Sequence, residues 1–192
     1  GLAMKEKVRV RVLSSFEPPC DDAGSLVVDE DEIMEKQVVT GIAYSRDEAK
    51  ISIRRIPDRP GIAAAIFTPL ARNGVNVDMI VQSTGADGMT NLTFTVGKAD
   101  EARALEVLEG CRADISYGEL SRDSDVVKIS VVGMGMRSHA GIASTMFQTL
   151  ADRGINVQVI STSEIKISVL IGAEYTELAV RTLHTAFGLD AQ

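Results

Sequence analysis

Tryptophan is absent from this sequence and aromatic side chains make up only 4% of it, so small aliphatic side chains must fill whatever interior it builds. Cysteine is scarce as well. Cys20 and Cys111 stand in unrelated contexts without a C-x-x-C partner, which argues against a disulfide framework and fits two reduced thiols in a cytoplasmic protein. Two histidines, His139 and His184, are too few for a multi-histidine metal site, and no metal is expected. Basic residues number 20 against 27 acids, a net charge of -7. With no basic face in prospect, neither nucleic acid nor an anionic membrane is expected as a partner. No apolar run approaches the ~20 residues of a membrane span, and no signal-peptide apolar segment opens the chain. The first residues, Gly1-Leu2-Ala3-Met4, read as those of a fragment or a tagged protein, with Met4 also placed to be a start.

What is present is a repeat. The stretch DRPGIAAAIFTPLARNGVNVDMIVQS, from Asp58, aligns without gaps on SHAGIASTMFQTLADRGINVQVISTS, from Ser138, at an offset of 80 residues. Gly61, Ile62, Ala63, Phe67, Leu70, Ala71, Gly74, Asn76, Val77, Ile80 and Ser83 each meet their own residue type. A period this long exceeds that of solenoid units, so each copy reads as a small domain.

Within each copy the apolar spacing predicts the same elements. Ile51 and Ile53, like Val127, Ile129 and Val131, alternate with polar neighbours as a half-buried strand does. After a turn, Ile62, Ile66 and Leu70 form one face of a helix that contains Pro69, a residue expected to kink it. Gly74 and Gly154 are placed to end the first helices, and Gly110 and Gly188 the second ones. In the second strand Val75, Val77, Met79 and Val81 are expected on one side, with Asn76, Asp78, Ile80 and Gln82 on the other. A third strand (Leu92, Phe94, Val96; Ile165, Ile167, Val169, Ile171) and a second helix, at about 99–109 and 175–187, follow. Copy one continues into a fourth strand at about 114–120, completing βαββαβ, whereas copy two runs out. The strand-like stretch 37–44 before copy one is expected to supply the missing strand and cover an open edge. The fold class is therefore α+β, two tandem ferredoxin-like domains with antiparallel sheets and helices on one face, the first inserted into the second. The boundaries are 1–15 for a strand remnant of a preceding domain and 16–35 for a mobile linker rich in Pro, Asp and Gly. The first domain then occupies 48–122, and the second 36–47 plus 124–190.

Two such units resemble ACT domains. D-x-P-G-x-A before the first helix and the following N-V-D-M-I-x-Q are similar to the first regulatory domain of aspartate kinases. The G-M-G-M-R-S-H-x-G and S-T-S-E-I-K-I-S runs of copy two are similar to the second, and the opening K-x-K-V-R-V-R-V-L-S-S-F resembles the end of the kinase domain. The resemblance implies an allosteric region that binds lysine, threonine or both and controls L-aspartate phosphorylation in lysine, threonine and methionine biosynthesis. It also implies a kinase catalytic domain or subunit as partner and a homodimer formed through the ACT sheets. No Lys-Phe-Gly-Gly-type phosphate loop occurs, so catalysis by this stretch alone is not expected. ATP and magnesium belong to the kinase domain, and no catalytic residue or cofactor is assigned here.

The resemblance places the effector at the loop-to-helix corner and the adjacent second strand. The implied residues are Asp58, Arg59, Pro60, Gly61, Ile62, Ala63, Asn76, Val77, Asp78 and Gln82. Chemistry supports the choice. Free N–H groups at the helix start suit a carboxylate, and Gly61 admits close approach. Asp58 suits an α-ammonium and Asp78 a lysine ε-ammonium, with Asn76, Asp78 and Gln82 together on one strand face. In copy two Ser138 replaces Asp58 and Gln158 replaces Asp78, which weakens that pocket for cations. Ile142, Ala143, Asn156, Val157, Thr162 and Ser163 are implied to complete sites shared across an interface. Plainer roles compete at several positions: a helix cap for Asp58, a hairpin for Thr162 and Ser163, and packing for His184. The Gly133-x-Gly135 pair mimics a dinucleotide fingerprint, but copy one lacks those glycines. The competing functions are a ligand-free dimerisation subunit of the kinase and an ACT module of another enzyme.

Overall fold

The computed structural model describes residues 10–12, 25–27, 38–85, 87–134 and 141–190. The chain divides into two units, 1–38 and 39–192. In the first, β1 (Val10–Val12) pairs antiparallel with β2 (Ser25–Val27). The N-terminal strand thus has a partner, and that partner lies inside the stretch expected to be a linker.

The second unit holds the duplicated scaffold. Copy one comprises β4 (Ala49–Pro57), α1 (Ile62–Arg72), β5 (Val77–Thr84), β6 (Met89–Val96), α2 (Glu101–Gly110), a short α3 (Arg112–Ile115) and β7 (Glu119–Asp123). Its sheet order is β5-β6-β4-β7. Copy two comprises β8 (Val126–Gly133), α4 (Ile142–Ala151), β9 (Val157–Thr162), β10 (Lys166–Gly172) and α5 (Thr176–Ala186). Its sheet is completed by β3 (Val39–Ser45), in the order β3-β8-β10-β9. The first domain is therefore inserted into the second, as the unassigned strand implied, and β3 seals the outer edge of β8 from Val39 to Ser45.

Helical periodicity sets the packing. Ile62, Ile66 and Leu70 of α1 are buried together with Ile51, Ile53, Leu92, Phe94 and Leu108. Ile142, Met146 and Leu150 repeat that face in copy two. The rings of Phe67 and Phe94 meet edge to face at 5.3 Å, a favoured aromatic geometry. Gly74, Gly154 and Gly188 hold positive φ just past their helices, as C′ glycines should. Gly110 does not. It is the last residue of α2, and the chain turns into α3 before Ser116, at φ 59°, breaks the helix.

Here the fourth strand of copy one departs from expectation, beginning at Glu119 rather than near 114. The alternation of Ile115 and Tyr117 mimics a strand, but both side chains are buried among the core residues while their backbone belongs to the end of α3 and a loop. Strands expected to be half-buried are also covered more fully. Ser130 and Ser168 are buried on the sheet face away from the helices, where their hydroxyls bond at 2.8 Å.

Candidate functional site

The two halves of the expected site lie at opposite ends of the first domain. β4 and β5 each run antiparallel to β6 and therefore parallel to each other. The corner that follows β4 sits beside the β5–β6 hairpin, tied to it by a bond from the Asp58 N–H to the Gly88 carbonyl at 3.0 Å. Asn76, Val77 and Asp78 sit at the start of β5, roughly 20 Å away at about 3.3 Å per residue.

At the corner Gly61 adopts φ 89° before α1, and no side chain caps the helix. Asp58 is exposed, and its carboxylate makes no bond among the described residues, so the capping role is not used. The Ile62 and Ala65 N–H groups bond to the Arg59 and Gly61 carbonyls. Those of Ala63 and Ala64 have no such backbone acceptor among the described residues and are placed to receive an anion. Arg59 is committed to the scaffold, donating to the Asp114 carbonyl at 2.8 Å. Pro60 is exposed beside it, while Ile62 is core, leaving only its main chain for a ligand.

The ribbon contains a β-bulge that the sequence did not announce. Val77 pairs with Val96 and Asp78 with Thr95, but the next pairs are Val81 with Thr93 and Gln82 with Leu92. One extra residue is accommodated between them, and Met79 takes φ 48°. The bulge reverses the alternation beyond it. Asp78 therefore lies on the face away from the helices and Gln82 on the other, beside Leu92 and near the corner. The expected shared face of Asn76, Asp78 and Gln82 does not exist. Copy two repeats the irregularity, with Val157 opposite Ile171 and Val159 opposite Leu170.

These bulges lie where the domains meet. Met79 packs with Val126, Val159 and Leu170, a cluster drawn from both copies. Around it the contacts are reciprocal. Lys128 of copy two reaches Asp78 of copy one at 2.8 Å, and Lys50 of copy one donates to Gln158 of copy two. Lys50 and Lys128 occupy equivalent register positions, opposite Thr95 and Leu170. Lys128 also meets the buried Glu48 at 2.5 Å, and Lys50 meets Asp123 at 3.4 Å. The Lys128 hydrogen bond holds the Asp78 carboxyl below its ordinary range, outweighing burial, with the Met79 N–H assisting. Thus Asp78, expected to receive a ligand's ammonium, already holds one from the chain. Sequence reasoning missed both lysines because neither lies in the aligned repeat.

An open cleft of about 380 Å³ adjoins Asp78, lined by Ser45, Asp47, Asn76, Val77, Thr95 and Asp100 among others. In copy two, Asn156 is exposed and Val157 is half-buried opposite Ile171. Ile142 is buried in the core and Ala143 half-buried at the start of α4. Thr162 pairs with Ile167, and Ser163 closes the β9–β10 hairpin, its hydroxyl accepting from the Lys166 N–H at 3.2 Å. His184 lies 4.0 Å from Asp190. Ser138 and His139 fall outside the described residues.

Comparison with known proteins places this geometry. ACT-domain family models match residues 50–113 and 129–187. The chain is 52% identical over 190 residues to an aspartate kinase of Stutzerimonas stutzeri, covering 98% of this chain and 45% of that protein. It is 51% identical to an aspartokinase of Pseudomonas aeruginosa, covering 98% and 46% respectively. It thus spans about half the length of the curated relatives it matches. Among solved structures, the regulatory subunit of aspartate kinase from Thermus thermophilus, in its ligand-free form, is 44% identical. That match has a TM-score of 0.75 and covers 79% of this chain and 99% of the subunit. A structure of aspartokinase alpha and beta subunits contains a chain 47% identical, at a TM-score of 0.74, with coverages of 78% and 99%.

Proposed function

Because the chain belongs to the aspartokinase family, as its regulatory region of two ACT domains, we propose that it is an amino-acid sensor. On this reading it binds lysine, threonine or both and transmits their occupancy to a kinase domain or subunit that phosphorylates L-aspartate. The observation that carries the reading is near end-to-end likeness to a solved regulatory subunit, at 44% identity. The ligand part is supported by the corner: an Asp58 carboxylate and two N–H groups, without partners among the described residues, offer complementary partners to a zwitterion's ammonium and carboxylate.

Copy one does not bring its own corner to its own ribbon. Asp78 of copy one meets Lys128 of copy two at the domain contact, and the copy-one corner lies at the far end of its sheet. A second chain, docked in the opposite sense, would set the corner of one beside the ribbon of the other, which favours a homodimer with effector sites between protomers. Ile80, Val81 and Ile160, exposed on the outer strands β5 and β9, offer apolar area for that contact. A thermal-shift screen against the twenty amino acids tests the sensor directly, since a ligand bound only by the folded state raises its melting temperature. A shift with lysine or threonine is expected. A flat response to all twenty, with a dimer of unchanged stability in sedimentation, would leave the ligand-free dimerisation subunit as the better account.

A further inference from the structure

Lys128 stands where the proposed reading puts a ligand's cation. Its ammonium crosses from β8 to Asp78 at 2.8 Å and touches Glu48 at 2.5 Å, with only 18% of the side chain exposed. An ammonium between two carboxylates is chemically the head of a lysine side chain. A ligand that is to use Asp78 has to take it from Lys128. The equivalent position in copy two differs in charge: there the acceptor on β9 is the neutral amide of Gln158, and its partner Lys50 keeps Asp123 as counter-ion.

We propose that Lys128 is a built-in competitor for Asp78, a residue that sets a threshold for side-chain cations at this site and converts their arrival into a broken bond between the two domains. The inference rests on reading Asn76–Asp78 as the subsite for the effector's side chain, and it supplies that subsite with a threshold. When a ligand ammonium pairs with Asp78, one ion pair replaces another and no carboxylate is stranded. Lys128 retains Glu48, which is 5% exposed and sits between β3 and β4 where the chain passes from one domain to the other. A neutral side chain has nothing to offer Asp78 in exchange and leaves the Lys128 pair closed. Occupancy by a cation therefore removes one of the two reciprocal lysine contacts and leaves Lys50–Gln158 as the pivot. A ligand shifts a domain arrangement only through such a differential contact.

Calorimetry on the whole chain tests this with two probes of similar shape, L-lysine and L-norleucine, the second lacking the ammonium. Lys128→Met removes the competitor. Because it leaves Glu48 buried without a counter-ion, Glu48→Gln/Lys128→Met is measured beside it. Both variants are expected to bind lysine at least about ten-fold more tightly than wild type, with norleucine unchanged. In wild type, lysine should also speed hydrogen exchange of the β5 and β9 amides, an effect lost in both variants. Unchanged lysine affinity in both variants, while Asp78→Asn still abolishes binding, would overturn the competitor and leave the subsite standing. Equal tightening of norleucine would overturn it too, by showing steric rather than charge competition. Lysine affinity indifferent to Asp78→Asn would remove the subsite itself.

Discussion

At Gly61 the backbone takes φ 89°, and a Cβ added there would meet nothing within 4 Å, so space is not the constraint and conformation is. Gly61→Ala should cost about 1–2 kcal/mol through the left-handed backbone alone, read as a lower urea midpoint with an unchanged slope. Asp58 poses the opposite case, since its carboxylate makes no bond among the described residues that its removal would break. Asp58→Ala should leave stability within about 0.5 kcal/mol yet weaken effector binding by about one to two orders of magnitude, the worth of a charged hydrogen bond. Calorimetry beside a melting curve separates the two effects. Glu101 carries a pH signature. Its carboxyl, 11% exposed, takes hydrogen bonds from Arg122 and Ser124, both at 2.8 Å. The Arg122 bond, against the opposing effect of burial, holds it below the ordinary glutamate range. The associated stabilisation is present above the unfolded value near 4.3 and is lost as pH falls through the folded one. Glu101→Gln should therefore lower the melting temperature at pH 7, by a margin that shrinks as the pH is taken below the unfolded value.

Among elements, β3 is the one whose partner could be read from the sequence alone: a copy lacking its last strand and a strand lacking a copy. Deleting residues up to Ser45 should uncover the β8 edge from Lys128 to Gly133 and drive association through it, seen as large species in sedimentation velocity while the first domain keeps its exchange protection. The helices were equally legible, since Ile62, Ile66 and Leu70 at one-turn spacing leave little choice of face. What could not be read had specific causes. A bulge adds a residue without changing composition, so the alternation of Asn76, Asp78 and Gln82 looked unbroken. Ile115 and Tyr117 are core residues in either conformation, and burial alone does not tell a helix end from a strand. Lys50 and Lys128 carried no signal because the contacts they make at the domain boundary, to Gln158 and to Asp78, are with the other copy. The corner was legible because glycine, acid and helix start are adjacent in sequence; the ribbon was not, because its surroundings are assembled from distant segments.

For the whole molecule, the insertion ties the copies together at both ends of copy one. Met79, 3% exposed, joins their cluster. Met79→Ala should cost about 2–5 kcal/mol, the range for a buried Met truncated to Ala. It should also split a single calorimetric transition into two, because that side chain couples the domains rather than serving either core.

The nesting also fixes an order of events. On a growing chain β3 emerges first, yet the strand it needs does not leave the ribosome until all of copy one has been made. Copy one has its full complement of strands by Asp123 and is free to close as a unit, and in doing so it brings Ser45 and Val126 toward each other. By the time β8 appears, its waiting neighbour has been delivered to it. The inner domain is thus the tool that shortens a long loop for the outer one, and a sequence change that slows copy one should delay copy two by the same interval.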